Sequence, residues 1–516
     1  MQARLDVARR LGPHAVVHAL IGLAARPWLR WHLRGPQIAG LEPAWALRPM
    51  AGADIRPLWE ANRWAELPRL ALEGRGEDIA PWVDAWLAAN PPYLGPNWGC
   101  GQEAALRALH LALAAQLSDI VPPREAMASL ARRIGANPAY ALAQDNNHPI
   151  SEAAGLLVCG LALQDSRLTA RGARRLDASI ARLVAEDGSF AQVSPAYHRM
   201  LLDVMAVTQW LRRDGPPAAP LTLRRMDAAT LWLHRLACPQ TGKLPRIGHQ
   251  DGSHVTDLSG AGPDDARASL ERAARIFSNA SAGWPDDAGC AAMGLALPAA
   301  RLKAAGDWRS AGVLGRQSGD ARAILRIGPL RFRPGHADLL HLDIWAGAAN
   351  LLRDGGTGAY NPTDPGWINV FQGTAAHNTI RFDGEDQMPR LGPFLFSHWP
   401  ATGDLPDGGW LRDHRGRTHS REVFAKPWGF RVEDRIGGRF SEAVLRWRLA
   451  PGPWCITSDG VSGPAARLRI IADGPFVLRM DEALESLAYG HASALPVLDV
   501  HLTGEHSRIT TEILIG

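Results

Sequence analysis

The chain has 516 residues, 46% of them hydrophobic and 21% charged, with a formal net charge of +4. That length is too great for one ordinary core, so two or three globular domains are expected rather than a disordered or fibrous chain. The small net charge argues against a general nucleic-acid binder, and five scattered cysteines with no CxxC pair argue against a disulfide scaffold.

In chain order, the first expected element is an N-terminal helical extension over residues 1–54. Its apolar stretch from Ala15 to Ala24 is short, contains His18 and lacks a clear small-residue cleavage site. It therefore reads as a helix or hairpin packed on the body rather than as a signal peptide. No run is long enough to span a membrane. Localisation stays open between the cytoplasm, on the absence of a clear signal, and the periplasm.

From residue 55 to about 310 the sequence is a procession of helical patterns broken by Pro and Gly. Glu103–Leu117 repeats apolar residues at helical spacing, and similar patterns follow at Pro123–Arg133, Ser151–Leu163, Thr169–Ala185, Arg199–Arg213, Leu221–Cys238 and Asp264–Ser278. The links are short, which implies antiparallel neighbours. An α/α toroid of helical hairpins is the expected architecture. After about residue 310 the pattern turns to β-branched, alternating segments punctuated by Gly-Gly, Asp-Gly and Pro-Gly turns. Residues 311–516 are expected to form an antiparallel β-sandwich, giving a multidomain α+β chain.

Three clusters carry the chemistry. Asp145-Asn-Asn-His-Pro-Ile-Ser-Glu152 puts two amides and an imidazole at a helix start, where they can cap the helix or donate toward an anion. Val193-Ser-Pro-Ala-Tyr-His198 starts another helix with Tyr197, whose hydroxyl needs a partner if buried. Pro334-Gly-His-Ala-Asp-Leu-Leu-His-Leu-Asp343, Leu351-Leu-Arg-Asp-Gly-Gly356 and Thr374-Ala-Ala-His-Asn-Thr379 place histidines and carboxylates at strand edges beside glycines. Such nitrogen and oxygen donors suit zinc, although a lone strand histidine is more often structural. Nucleotide-binding loops, HExxH and GxSxG are absent from the sequence.

The segments NNHPISEAAGLL, DGSFAQVSPAYHRM, GHADLLHLDIW with LLRDGG, and TAAHNTIRFDGEDQ resemble, in order and separation, the signature blocks of the heparinase II/III superfamily. The resemblance covers roughly residues 95–390 and implies a lyase acting on a uronic-acid-containing polysaccharide or oligosaccharide. It implies that Asn147 with His148 neutralises the uronate carboxylate and that Tyr197 is base, acid or both. It further implies that His336, Asp354 and His377 hold a metal, usually zinc, in a largely structural role. His336 also counts among the catalytic candidates. Pro334 stands where some members carry a further histidine, and a glycine-rich Asp354–Tyr360 turn replaces a Pro-containing one.

The β-elimination suits these residue types. Removing the C5 proton builds charge on the carboxylate, which amide and imidazole donors can stabilise. A phenol is a poor base unless cationic neighbours favour the phenolate, a bias that His148, His198, Arg199 or the metal site could supply. Asn146, His198, Arg199 and Tyr360 are expected to bind substrate. Among 19 tryptophans, most expected in cores and interfaces, Trp98 is the best candidate for stacking on a sugar because its loop precedes a helix. Two other readings stay open: a glycoside hydrolase on the same scaffold, and a non-catalytic glycan-binding protein of exopolysaccharide metabolism. A homo-oligomer is also left open.

Overall fold

The computed structural model describes residues 2–25, 28–29, 32–33, 42–44, 54–255, 257–303, 306–392, 394–502 and 507–516. Much of the 1–54 extension thus lies outside the described residues. Within it, Gln2–Ala24 is helical, with a kink at Gly12-Pro13. It packs beside the short helix Pro138–Leu142, and Asp6 accepts a 2.7 Å hydrogen bond from the His398 amide in the opposite half of the chain.

The N-terminal half is an α/α toroid, and the C-terminal half is a set of antiparallel sheets forming a β-sandwich. The change from helix to strand falls between the helix Ala288–Ala292 and the strand Trp308–Ser310. At the centre of the helical half lie Gly101–Leu117 and Asn147–Leu163. Both are buried on nearly every face, as their apolar sequences require. They approach closely because Gly155 lies on Ala105, where an added Cβ would fall 2.6 Å from the Ala105 Cβ. Ser166–Leu183 packs alongside Asn147–Leu163, its Asp165 cap accepting from the amides of Arg167 and Leu168.

Among the C-terminal strands, Trp308–Ser310, Val313–Ser318, Ala321–Arg326, Leu342–Ala346 and Ala349–Leu352 form a five-stranded meander. A second sheet has eight strands and a third has four. Their inward faces share one core, including Leu342, Ile344, Phe430, Val432, Leu445, Trp447 and Leu498. Two strands of the larger sheet, Ala401–Leu405 and Gly408–Arg412, and the helix Gly366–Gln372 have no counterpart in the sequence reading. Glycine, proline and aspartate obscure the strand alternation there. The five cysteines are free, and all but Cys455 are buried. No helix among the described residues is long and apolar enough to cross a membrane.

Glu152 is the outlier of the helical core. Its carboxylate lies against Gly101, and its Oε2 is buried without a partner among the described residues. Burial pushes its pKa up to about 7, against the pull of Arg133 and Arg175. A pKa raised by folding means that the folded state holds the proton more tightly. The resulting stability is complete below the unfolded value and is lost as pH rises through about 7. Glu152→Gln is therefore expected to stabilise the protein by about 3 kcal/mol at pH 8 and to have little effect at pH 4. Denaturant unfolding at the two pH values checks this; an equal effect at both would contradict it.

Candidate active site and metal centre

Two helix N-termini open onto one cleft of about 440 Å³. Asn146 caps the first, its Oδ1 accepting from the His148 amide at 3.0 Å, so Asn147 and His148 occupy the first turn. Asn147 Nδ2 donates to Gln102 Oε1 at 2.8 Å and otherwise has only Met200 Sδ at 3.5 Å. His148 turns the other way, its Nδ1 lying 3.9 Å from Cys100 Sγ. Burial lowers its pKa to about 4, so the ring is neutral.

Ser194 caps the second helix, Pro195–Leu211, accepting from the Tyr197 amide at 3.2 Å and donating to the His249 carbonyl at 2.5 Å. One serine thus fixes both the tyrosine and the loop 248–254. Tyr197 OH donates to Asp251 Oδ2 at 2.8 Å and lies 2.8 Å from Tyr360 OH. Burial would raise the Asp251 pKa, but Arg56 outweighs it and holds the carboxyl well below its usual range. Arg56 Nε donates to Asp251 Oδ2 at 2.7 Å and its Nη2 to Ser253 Oγ at 2.7 Å. Burial, reinforced by the Asp251 charge, pushes Tyr197 and Tyr360 well above the ordinary phenol value. Both are neutral phenols. Tyr360 is further anchored by its amide, which donates to Tyr489 OH at 2.8 Å.

His249 forms the wall between this cluster and the metal candidates. Its ring centre lies 5.3 Å from Tyr360, 5.1 Å from Phe394 and 5.2 Å from His336. Its buried Nε2 has no partner among the described residues, and burial lowers its pKa to about 4.

Behind His249, the structure brings His336, Asp354 and His377 together, with one donor atom from each within 4.8 Å of the others. All three are buried. Asp354 follows the strand Ala349–Leu352, and His377 follows the turn Thr374–Ala376. His377 Nδ1 and Asp354 Oδ2 are 2.8 Å apart, and Asp354 Oδ1 accepts from the Gly356 amide at 2.8 Å. Both ring nitrogens of His336 and Nε2 of His377 are buried without partners among the described residues. Buried polar atoms seldom stay unsatisfied, so this donor set fits a cation. The cradle is braced from outside. The Asn378 amide donates to His341 Nδ1 at 2.9 Å, and Arg421 donates to the carbonyls of Leu340 and Asn378 while pairing with Asp434.

Asn146, Asn147, His148, Tyr197 and Tyr360 all line the cleft. Three expected substrate-binding residues do not. Trp98 is fully buried, its Nε1 bonded to the Asn90 carbonyl and its ring packed on Tyr93 and Trp86. His198 stacks on Trp232 at 4.5 Å and bonds the Ala229 carbonyl, and Arg199 donates to Ser269 Oγ and the Pro263 carbonyl. Successive helical residues point about 100° apart, so a helix that aims Tyr197 at the cleft aims its two successors into the core. Nor does His336 line the cleft; it stands behind His249. The sequence reading missed Arg56, Gln102, His249, Asp251 and Arg333. The available signal was the polar run His249-Gln-Asp251 between Gly248 and Gly252, both at positive φ, a loop held in a specific shape.

Residues 300–474 match the family model described as heparinase II/III-like, C-terminal. No curated protein sequence matches the chain. Among solved structures, a heparinase III superposes with a TM-score of 0.68 at 14% identity, over 93% of this chain and 80% of that one. A heparan sulfate lyase mutant from Pedobacter heparinus gives a TM-score of 0.60 at 17% identity, over 96% and 83%. The segment 300–474 thus resembles the heparinase II/III-like C-terminal domain, and the chain as a whole shares the fold of heparinase III.

Proposed function

We propose that the protein is a polysaccharide lyase that cleaves a uronic-acid-containing polysaccharide or oligosaccharide by β-elimination. The observation that carries this reading is the protonation pattern of the cleft. Tyr197 is held as a neutral phenol beside the neutral side chains of Asn147, His148 and His249, while the carboxylates around them are tied to arginines or, for Asp54, to the Tyr489 hydroxyl and the Arg56 backbone amide. Asp251 is bound by Arg56, Asp145 by Arg182, and Glu103 by Arg63 through two bonds of 2.7 and 2.8 Å. A glycoside hydrolase needs one carboxyl in its cleft that keeps its proton; ion-paired carboxylates do not, and Glu152, whose pKa is raised, does not line the cleft.

In this reading the uronate carboxylate sits against Asn147, one of whose N–H groups is held by Gln102 while the other meets only a sulfur. That donor stabilises the charge that develops as the C5 proton leaves. His249, neutral and with an unpartnered Nε2, is suited to accept the proton. Tyr197 then protonates the departing C4 oxygen, and the C5–H electron pair becomes the C4–C5 double bond. Its phenol carries its proton at rest, because burial and the Asp251 charge disfavour the phenolate, and so it is available to donate rather than to accept. His336, Asp354 and His377 would hold Zn²⁺, whose charge would keep His336 in place beside His249 and so shape the cleft wall.

The test is a panel of uronate polymers followed by ultraviolet absorbance and product masses. The expected products carry an unsaturated uronate end, with masses that sum to the substrate without added water. Products that have gained water, or binding without cleavage across the panel, would overturn the reading.

A further inference from the structure

The charged side chains around the cleft are committed to one another or, for Asp54, to the Tyr489 hydroxyl, and Arg333 is the exception among the described residues. Arg56 serves Asp251 and Glu60, Arg63 serves Glu103 and Glu60, and Asp145 is held by Arg182. Arg333 lines the same cleft with its Nε buried and without a hydrogen-bond partner among the described residues. A guanidinium does not escape by losing its proton, so a largely buried, unpaired one is a standing cost.

The backbone is shaped to put it there. Phe332, also in the cleft, has φ of +55°, a left-handed conformation that side chains other than glycine seldom adopt. The conformation is clamped by Arg182, whose guanidinium carbon lies 5.3 Å from the Phe332 ring centre, while Asp145 accepts from that guanidinium at 2.6 and 2.7 Å. Arg331 lies on the ring as well, at 5.1 Å. Strain held by so many contacts is characteristic of functional positions.

We propose that Arg333 is a specificity-determining residue that binds an anionic group, a carboxylate or a sulfate, on the sugar next to the one that undergoes elimination. Two features assign it to the neighbouring sugar. The charges that act most on Tyr197 are Asp251 and Arg56, whereas Arg333 acts on Tyr140, His148 and His249 rather than on the phenol. Asn147 and His148 also diverge, one toward Met200 on the Tyr197 helix and the other toward Cys100. The attacked ring thus sits at the Asn147–Tyr197 end and its neighbour at the His148–Arg333 end. A planar guanidinium matches either anion with two parallel bonds. The choice of ligand rests on the lyase reading; the anion site itself does not.

The test compares three tetrasaccharides: an alternating uronate and N-acetylhexosamine chain without sulfate, its sulfated counterpart, and an oligouronate. For each protein the readout is kcat/KM on a charged-neighbour ligand divided by that on the unsulfated reference. Arg333→Gln is expected to lower this ratio about tenfold, with Arg333→Lys losing less because it keeps the charge without the fork. A fall confined to the sulfated ligand identifies sulfate, and one confined to the oligouronate identifies carboxylate. A ratio within about twofold of wild type for both ligands overturns the proposal. Calorimetric titration of the same ligands gives the corresponding ratio of dissociation constants. If no polymer yields an unsaturated product, the lyase reading falls and the binding ratio still decides on Arg333.

Discussion

Tyr197→Phe is expected to lower the rate of unsaturated-product formation by about 10³-fold, the scale on which a positioned proton donor acts. The substitution removes one hydroxyl and leaves the ring in place. That hydroxyl donates to Asp251 and touches Tyr360, and Asp251 keeps its bonds from Arg56 and the Ser253 amide when it is gone. The expected loss of stability is about 1 kcal/mol, that of one ordinary hydrogen bond. KM should change little, because a proton given to the leaving oxygen is an interaction of the transition state alone. Tyr360→Phe is the internal control. It removes a neighbour of the same hydroxyl but no proton donor to the sugar, so its loss of rate should be much smaller. Turnover of Tyr197→Phe within tenfold of wild type would remove Tyr197 from the mechanism.

The parts of the molecule that were legible in the sequence are those set by periodicity and by capping. Gly101–Leu117 and Asn147–Leu163 announce themselves because a buried helix must be apolar at helical spacing. The strands Gly429–Gly437 and Ala466–Ala472 do so because alternate residues face the core. The clusters around Asn147 and Tyr197 stand out because each lies in the first turn of a helix behind a side-chain cap, although the roles given to the two residues came from the family resemblance. The grouping of His336, Asp354 and His377 came from the family resemblance, since strand edges separated by tens of residues carry no local sign of meeting. His249, Asp251 and Arg333 sit on irregular segments with no period, and their role depends on which loops the fold brings to the cleft. Trp98 was misjudged for the converse reason. Its Pro96–Trp98 turn looks like a surface loop, yet the ring is driven into the core beside Trp86 and Tyr93, where a large apolar side chain is most stable.

His377→Ala is expected to abolish metal binding and to destabilise the protein by about 3 kcal/mol, because it leaves the buried Asp354 carboxylate with only the Gly356 amide and, at 3.6 Å, His341. Elemental analysis of the purified protein should find about one zinc per wild-type chain and almost none in the variant, as a site of three protein ligands fails when one is lost. Chelation of the wild type should act in the same direction, since the unpartnered nitrogens of His336 and His377 would again be buried without a cation. The effect on turnover is expected to follow the effect on structure. No member of the metal set touches Tyr197 or Asn147; the route to the cleft runs through the contact of His336 with His249. A freed His336 lets His249 move, and His249 packs on Tyr360, the neighbour of the Tyr197 hydroxyl. Activity and thermal stability should therefore fall together as zinc is withdrawn and return together when it is restored. A metal-free protein with full stability would refute the structural role of the centre. Full stability with activity lost would instead give the centre a direct part in the chemistry.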